Sequence, residues 1–419
     1  MDERPFLRSA AIGLVGPLCG FAASASLAVA APVGDPDDPL EALPPQVPRL
    51  ALETETATAA EEDPGGITVV PIVGPIFNPE FQLMITGGAI ASFRTDATDR
   101  RLNRSTLMGA AGYSTNGALF VGGVFKSFWL GDALRLNTVA TLKDMPDNYW
   151  GTGFDNGRDV PQGPDTTQFE RFWWELRVEP LIRISGPLYA GGSVLWTETR
   201  ARNVNLRMAT DPDFLATGRR NRLLGLGPTI SIDTRDVPDA AWEGFMVRTA
   251  AAFFGSAASD VTFQQFELDY RHYVPIVKPG WTLAWNVWTR MTFGNTPWHE
   301  MPQLGMQPSF RGYFAGQYRD KRAYSAVIEY RHMLHGGKYR GEDPKIRSAN
   351  VWEFFENRLG FVAFTGIGGV GRDLSDFENV APIVGGGLRF LVAGRLHLRA
   401  DVGVGIESGG FYLGVNEAF

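Results

Sequence analysis

The sequence predicts an all-β protein, a transmembrane antiparallel β-barrel of about sixteen strands over residues 67–419. Three observations carry this. Apolar and polar residues alternate with period two, segment after segment. The connections alternate between short and long, as in outer-membrane barrels. After the first thirty residues no apolar run approaches the ~18 residues of a spanning helix. A mean hydropathy of -0.10 does not oppose the barrel, because lipid-facing and lumen-facing residues alternate and cancel.

Residues 1–30 read as a secretory signal peptide. Arg4 and Arg8 precede a small apolar stretch, and Ala28-Val29-Ala30 supplies a cleavage pattern. Gly13, Gly16, Pro17 and Gly20 would make a poor membrane anchor. Cys19, the only cysteine, lies in that segment without a lipoprotein box around it. Cleavage would leave no thiol for disulfide, thiolate-metal or nucleophile chemistry. Residues 31–66 follow as a proline-rich acidic tail, with nine acids against Arg49 alone, and such a composition predicts disorder. The net charge of −7 therefore belongs to this tail, and residues 67–419 are near neutral.

The barrel segments follow in order, starting near Ile67, Glu80, Ser105, Gly117, Ala133, Phe169, Pro187, Leu223, Gly244, Thr262, Gly280, Ala323, Arg358, Val380, Arg395 and Gly409. In the stretch from Arg395, Leu398, Val402 and Val404 share one face, and His397, Arg399 and Asp401 share the other. At helical period these charges would encircle the axis; at period two they separate. Tyr324, Ile328 and Tyr330 likewise oppose Ser325, Glu329 and Arg331, and Leu226, Ile230 and Ile232 oppose Asp233 and Arg235. Long connections run over 146–168, 208–222 and 295–322, against turns such as Ser185-Gly186-Pro187. Sixteen strands allot about 22 residues to each strand with its connection, whereas eight would leave far more than the ~9–11 that cross a bilayer. A soluble sandwich also alternates, but its core could not hold this many unsolvated charges.

Catalytic and ligand motifs are weak. Gly366-Ile367-Gly368-Gly369-Val370-Gly371 matches a dinucleotide fingerprint, yet the helix and acid it requires do not follow. These glycines read as lumen and bend positions of a strand. There is no nucleophile elbow, and the pair His332 and His335 falls on opposite faces of a strand. The sequence therefore suggests no catalytic residue, no metal site, no cofactor and no nucleic-acid partner, and outer-membrane lipid is the expected surrounding.

One motif is specific. Phe310-Arg311-Gly312-Tyr313, between the eleventh and twelfth strands, resembles the loop motif of BamA/TamA-type assembly-factor barrels, the bacterial surface antigen family. GLGPTISIDTRD from Gly225, the E-x-R strand VIEYRHML and the terminal LRADVGVGIESGGFYLGVNEAF resemble that family's motifs in the same order. FNPEFQLMITGG is similar to its first hairpin. The resemblance implies a sixteen-stranded barrel whose long loop folds into the lumen, with Arg311 paired to acidic wall residues. It also implies protein insertion or translocation at the outer membrane through a seam between first and last strands. Glu329 is the expected partner of Arg311, and Arg331, Arg399, Asp401, Asp233 and Arg235 are the expected lumen charges. Two departures stand out. Gly366 occupies the place of a family wall acid, which implies that one partner of Arg311 is missing. The 31–66 tail is too short for the family's periplasmic domains, so clients would come through a separate periplasmic partner.

The seam is expected at Pro71 and Pro75 on the first strand and at Phe411, Val415 and Phe419 on the last. The prolines lie four apart and so remove donors from one edge of a strand. Residues 67–78 could otherwise be a plug or linker. Beside protein or lipid transport, the readings that remain are a passive plugged barrel serving as surface antigen or weak pore, and a membrane-embedded lipid hydrolase.

Overall fold

The computed structural model describes residues 66–419 except 79, 100–101, 237–240, 256–258, 278–279, 306–308, 335–351, 353–354, 356–357, 374–375, 377–378 and 394–395. The predicted signal peptide, the acidic tail up to residue 65, Cys19, Pro79, His335 and Arg395 lie outside the described residues.

Sixteen strands form one sheet in sequence order. They are β1 (Thr68–Asn78), β2 (Gln82–Phe93), β3 (Ser105–Ser114), β4 (Leu119–Trp129), β5 (Leu134–Asn148), β6 (Gln168–Ser185), β7 (Leu188–Arg202) and β8 (Arg220–Asp233), then β9 (Gly244–Phe254), β10 (Phe263–Pro275), β11 (Trp281–Gly294), β12 (Arg322–Met333), β13 (Leu359–Gly371), β14 (Ala381–Ala393), β15 (Leu396–Val404) and β16 (Gly409–Val415). Every start lies within three residues of its expected position. Consecutive strands pair antiparallel, and β1 and β16 come side by side to make a nearly closed barrel. β1 pairs with β2 along its whole length, so it is a barrel strand and not a linker.

The alternation sorts the faces as period two requires. Leu398, Val402 and Val404 are exposed to the outside, while His397 and Asp401 are buried within. Aromatic rings gather on the outer face where β11, β12 and β13 meet, with Trp281 and Phe361 on either side of His332. Such a belt marks a membrane–water interface. Among the described residues no helix is long and apolar enough to cross a membrane.

The long β5–β6, β7–β8 and β11–β12 connections share one rim, which places it on the cell surface by the asymmetry of such barrels. The opposite, periplasmic rim carries short turns such as β6–β7 and β14–β15. The longest periplasmic connection is 334–358, between β12 and β13, and those over 94–104 and 234–243 are intermediate. The surface loops bear short helices α1 (Phe154–Asp159), α2 (Leu206–Thr210) and α3 (Pro212–Thr217), the last capped by the Asp211 carboxylate on the N–H groups of Asp213 and Phe214.

Candidate functional site

The β11–β12 connection, residues 295–321, folds back into the lumen. Its upper part is held by the neighbouring surface loops. Trp298 is buried against Tyr149, Phe169 and Phe214 and donates its ring N–H to Gly218 O at 3.1 Å. Gly153 N–H donates to Arg319 O at 2.7 Å. Below, Leu304, Phe310, Tyr313 and Tyr318 join wall residues such as Val327, Phe364 and Val370 in one apolar cluster inside the barrel.

The loop backbone approaches the wall where the wall has no Cβ. A Cβ on Gly403 would stand 2.6 Å from Arg311 O, one on Gly405 would stand 2.2 Å from the Tyr313 ring, and one on Gly368 would meet the Phe310 ring at 2.8 Å. Gly312 itself has φ +137°, a conformation that L side chains rarely adopt. Gly312 N–H donates to Tyr412 Oη at 3.0 Å, and Ser408 Oγ donates back to Gly312 O at 3.0 Å. Tyr313 Oη donates to Pro382 O at 2.8 Å and accepts from Ile406 N–H at 3.1 Å. Tyr318 Oη donates to Glu407 at 2.7 Å. The loop is thus laced to the β15–β16 hairpin.

Arg311, 2% exposed, ends between two fully buried carboxylates. One Nη donates to Glu329 of β12 and the other to Asp401 of β15. A planar fork suits this double engagement, and two carboxylates could not be buried here without it. Gly366 supplies no acid, and the second carboxylate at Arg311 is that of Asp401, two strands further on. It reaches the lumen because Gly387, opposite it on β14, lacks a Cβ that would lie 2.0 Å from Asp401 Oδ1. The Phe364 ring fills the rest of the site, its centroid 3.7 Å from the Arg311 guanidinium carbon.

Both carboxylates are shared. Arg331 Nε donates to Glu329 at 2.8 Å, and Arg389 Nη1 donates to Asp401 at 2.5 Å. These two arginines also hold the chain that follows β16: Arg389 Nε donates to Glu417 at 2.8 Å, and Arg331 Nη2 donates to Phe419 O at 3.0 Å. Here Phe419 requires correction. It does not lie at the seam, because the chain leaves the ladder at Asn416 (φ +64°) and turns inward. Phe419 ends 6% exposed, against Tyr273 and the Arg331 guanidinium. A charged anchor in the lumen outweighs continuation of the strand.

The other expected lumen charges divide. Arg399 borders the cluster, 3.7 Å from Asp401 and opposite Gly414 of β16. Asp233 and Arg235 pair with each other at 2.8 Å at the periplasmic end of β8 and do not join it. A second wall cluster escaped the sequence reading: Arg248 bridges Glu179 and Glu267, and Arg290 also engages Glu267. Each lies on an inward position of its strand, so the alternation carried the signal, but the pairing of β6 with β9 across two strands did not show in it.

At the seam the main-chain directions follow from the register. Thr115 N–H donates to Leu83 O across β2–β3 at 2.8 Å. Odd positions of β2 therefore face β3 and even ones face β1. With Pro75 opposite Ile85 and Pro71 opposite Ala89, the odd positions of β1 face away from β2, towards β16. Both prolines thus remove donors from the open edge. β1 and β16 are the two ends of the sheet, and no ladder pairs them among the described residues. The strands meet through side chains, with Phe77 and Phe411 ring centroids 5.8 Å apart. Nothing is described of the Val415 side chain.

A family model described as the Omp85 superfamily domain matches residues 111–419. The chain belongs to the Omp85 superfamily. Among solved structures, BamA from Haemophilus ducreyi lacking POTRA domains 1–3 matches with a TM-score of 0.52 at 12% identity, over 84% of this chain and 71% of that one. CdiB from Escherichia coli matches with a TM-score of 0.50 at 8% identity, over 83% of this chain and 63% of that one. No curated protein matches. This Omp85 barrel is a bacterial outer-membrane protein and shares its barrel fold with BamA.

Proposed function

We propose that this Omp85 barrel inserts or translocates client proteins at the outer membrane, or moves lipids there, by parting the seam between β1 and β16. A separate periplasmic partner would deliver the clients. The observation that carries this reading is the seam itself, two edge strands side by side without a ladder between them and with Pro71 and Pro75 on the facing edge. Proline on an edge blunts pairing, so a gap there can be held closed weakly and opened. The arginine cluster supplies the latch. Arg311 fixes the loop, and through Glu329 and Asp401 it shares charges with the two arginines that hold residues 416–419. The loop and the last strand are then two ends of one ionic network.

The test is a disulfide across the seam in a Cys19→Ser background. Phe77 opposite Phe411 sets the phase, so cysteine pairs scanned between 72–76 and 411–415 are expected to crosslink on oxidation. A locked barrel should stay folded, by its altered migration on unheated gels, and lose client insertion into liposomes. Full activity when locked would remove the gate. A second reading, a passive plugged barrel, is favoured by the apolar loop that fills the lumen. Under that reading the chain gives at most weak conductance and no client insertion, locked or free.

A further inference from the structure

We infer that the outer wall at the cell-surface ends of β7 and β8 binds a phosphorylated lipid of the surface leaflet, with Arg200, Arg220 and Arg222 holding its phosphate groups. The site lies away from the seam, and its occupancy does not depend on whether the seam parts. Thr197 and Thr199 of β7 and Asn221 and Leu223 of β8 are buried on the lumen side, so Glu198, Arg200, Arg220 and Arg222 stand on the outer face. The three arginine side chains are 47%, 53% and 60% exposed in that order.

The ladder sets Arg200 directly opposite Arg220, and Glu198 opposite Arg222. Like charges placed in this way repel. Among the described residues Glu198 is the one acid within salt-bridge reach of the pair. Its Oε1 accepts from Arg220 Nε at 2.8 Å and from Arg200 Nη2 at 3.2 Å. Arg222 reaches only Asp260, at 4.0 Å. The other acids on this part of the wall, Asp144 and Glu170, are both engaged by Arg202. Three guanidinia therefore share one close carboxylate, and most of their N–H groups, five to each fork, have no protein acceptor. Below them on the same face lies Trp196, exposed and set edge-on to Trp174 of β6 at 5.0 Å, and then Val194 and Leu226. Such rings mark the boundary between acyl chains and headgroups. At about 3.3 Å per residue and a tilt of about 40°, the arginines stand roughly 5–10 Å above Trp196, in the headgroup layer. A phosphate there can accept from two forks at once and relieve their repulsion, while its acyl chains lie along Trp196 and Leu226. An acidic protein would have to displace lipid from the wall to reach the same charges.

Native mass spectrometry of the full chain in detergent, titrated with diphosphorylated lipid A in the presence of EDTA, reads the occupancy. Lipid A should bind, and the same lipid stripped of its phosphates should bind about tenfold more weakly or not at all. The triple variant Arg200→Gln, Arg220→Gln, Arg222→Gln should lose about tenfold or more in lipid A binding, whereas Arg158→Gln on α1 should lose nothing. Equal binding of the two lipids, or undiminished binding by the triple variant, would overturn the inference. Binding that appears only when magnesium is supplied would overturn it too, by placing a divalent cation on the acids. A chain that takes poly-glutamate but not lipid A would assign the arginines to an acidic protein instead. If the triple variant fails to fold, as judged by gel migration, Arg222→Gln alone carries the comparison, with a several-fold loss expected.

Discussion

Arg311 concentrates the energetics of the lumen in one side chain. It is buried, forked between Glu329 and Asp401, and backed by the Phe364 ring. Arg311→Ala would leave two buried carboxylates short of a partner, a change that costs about 3–5 kcal/mol in buried pairs. The thermal midpoint for loss of the compact gel form should fall, and the loop should become protease-sensitive. Arg311→Lys should recover little of this, since one ammonium cannot engage both acids with the planar fork. An unchanged midpoint and unchanged proteolysis in Arg311→Ala would show that the loop is held by its aromatic contacts alone. Half of this site was legible in the sequence. Glu329 follows from inward parity on the strand after the motif. Asp401 was legible as a lumen charge but not as a partner, because its reach depends on the missing Cβ of Gly387, a neighbour only after folding.

At the scale of elements, the strands were readable because each repeats a local rule many times over, and a two-residue period survives errors at its ends. The β11–β12 loop has no period, and its place in the lumen rested on the motif it carries. Its upper anchorage could not be read at all, since Trp298 meets Tyr149, Phe169 and Phe214 from three other segments. His299, next to that anchor, is buried beside Glu300, with Arg171 and Arg319 nearby. Burial, helped by the two arginines, holds its imidazole below the usual histidine range despite Glu300. A depressed histidine gives stability that is present above its unfolded value of about 6.5 and lost as the pH falls below it, because the freed loop takes up the proton first. Proteolysis of the loop should therefore rise as the pH is lowered from about 7.5 to about 5.5. His299→Gln should flatten that dependence; an equally steep profile in the variant would assign it to other groups.

Across the whole molecule the wall is uneven. β6 has 18 residues, whereas β15 has 9 and β16 has 7. At roughly 3.3 Å per residue and a tilt of about 40°, β16 covers about 18 Å of a hydrocarbon core of about 30 Å. We predict that the bilayer thins beside the last strand, at a cost of fractions of a kcal/mol per Å. Spin labels at Leu413→Cys and at Leu176→Cys, the latter at mid-height of β6, can be compared in the Cys19→Ser background. An aqueous nickel chelate should reach the first more readily, and equal accessibility would refute the thinning. The Phe77–Phe411 contact acquires a meaning in such a membrane. Parting the two rings breaks no ladder; it exchanges ring–ring contact for ring–acyl contact, a nearly even trade of dispersion forces. The rings themselves then oppose opening little, and the work is done against the arginine latch and the lateral pressure of the surrounding lipid, so the gap should appear more often in a more fluid membrane.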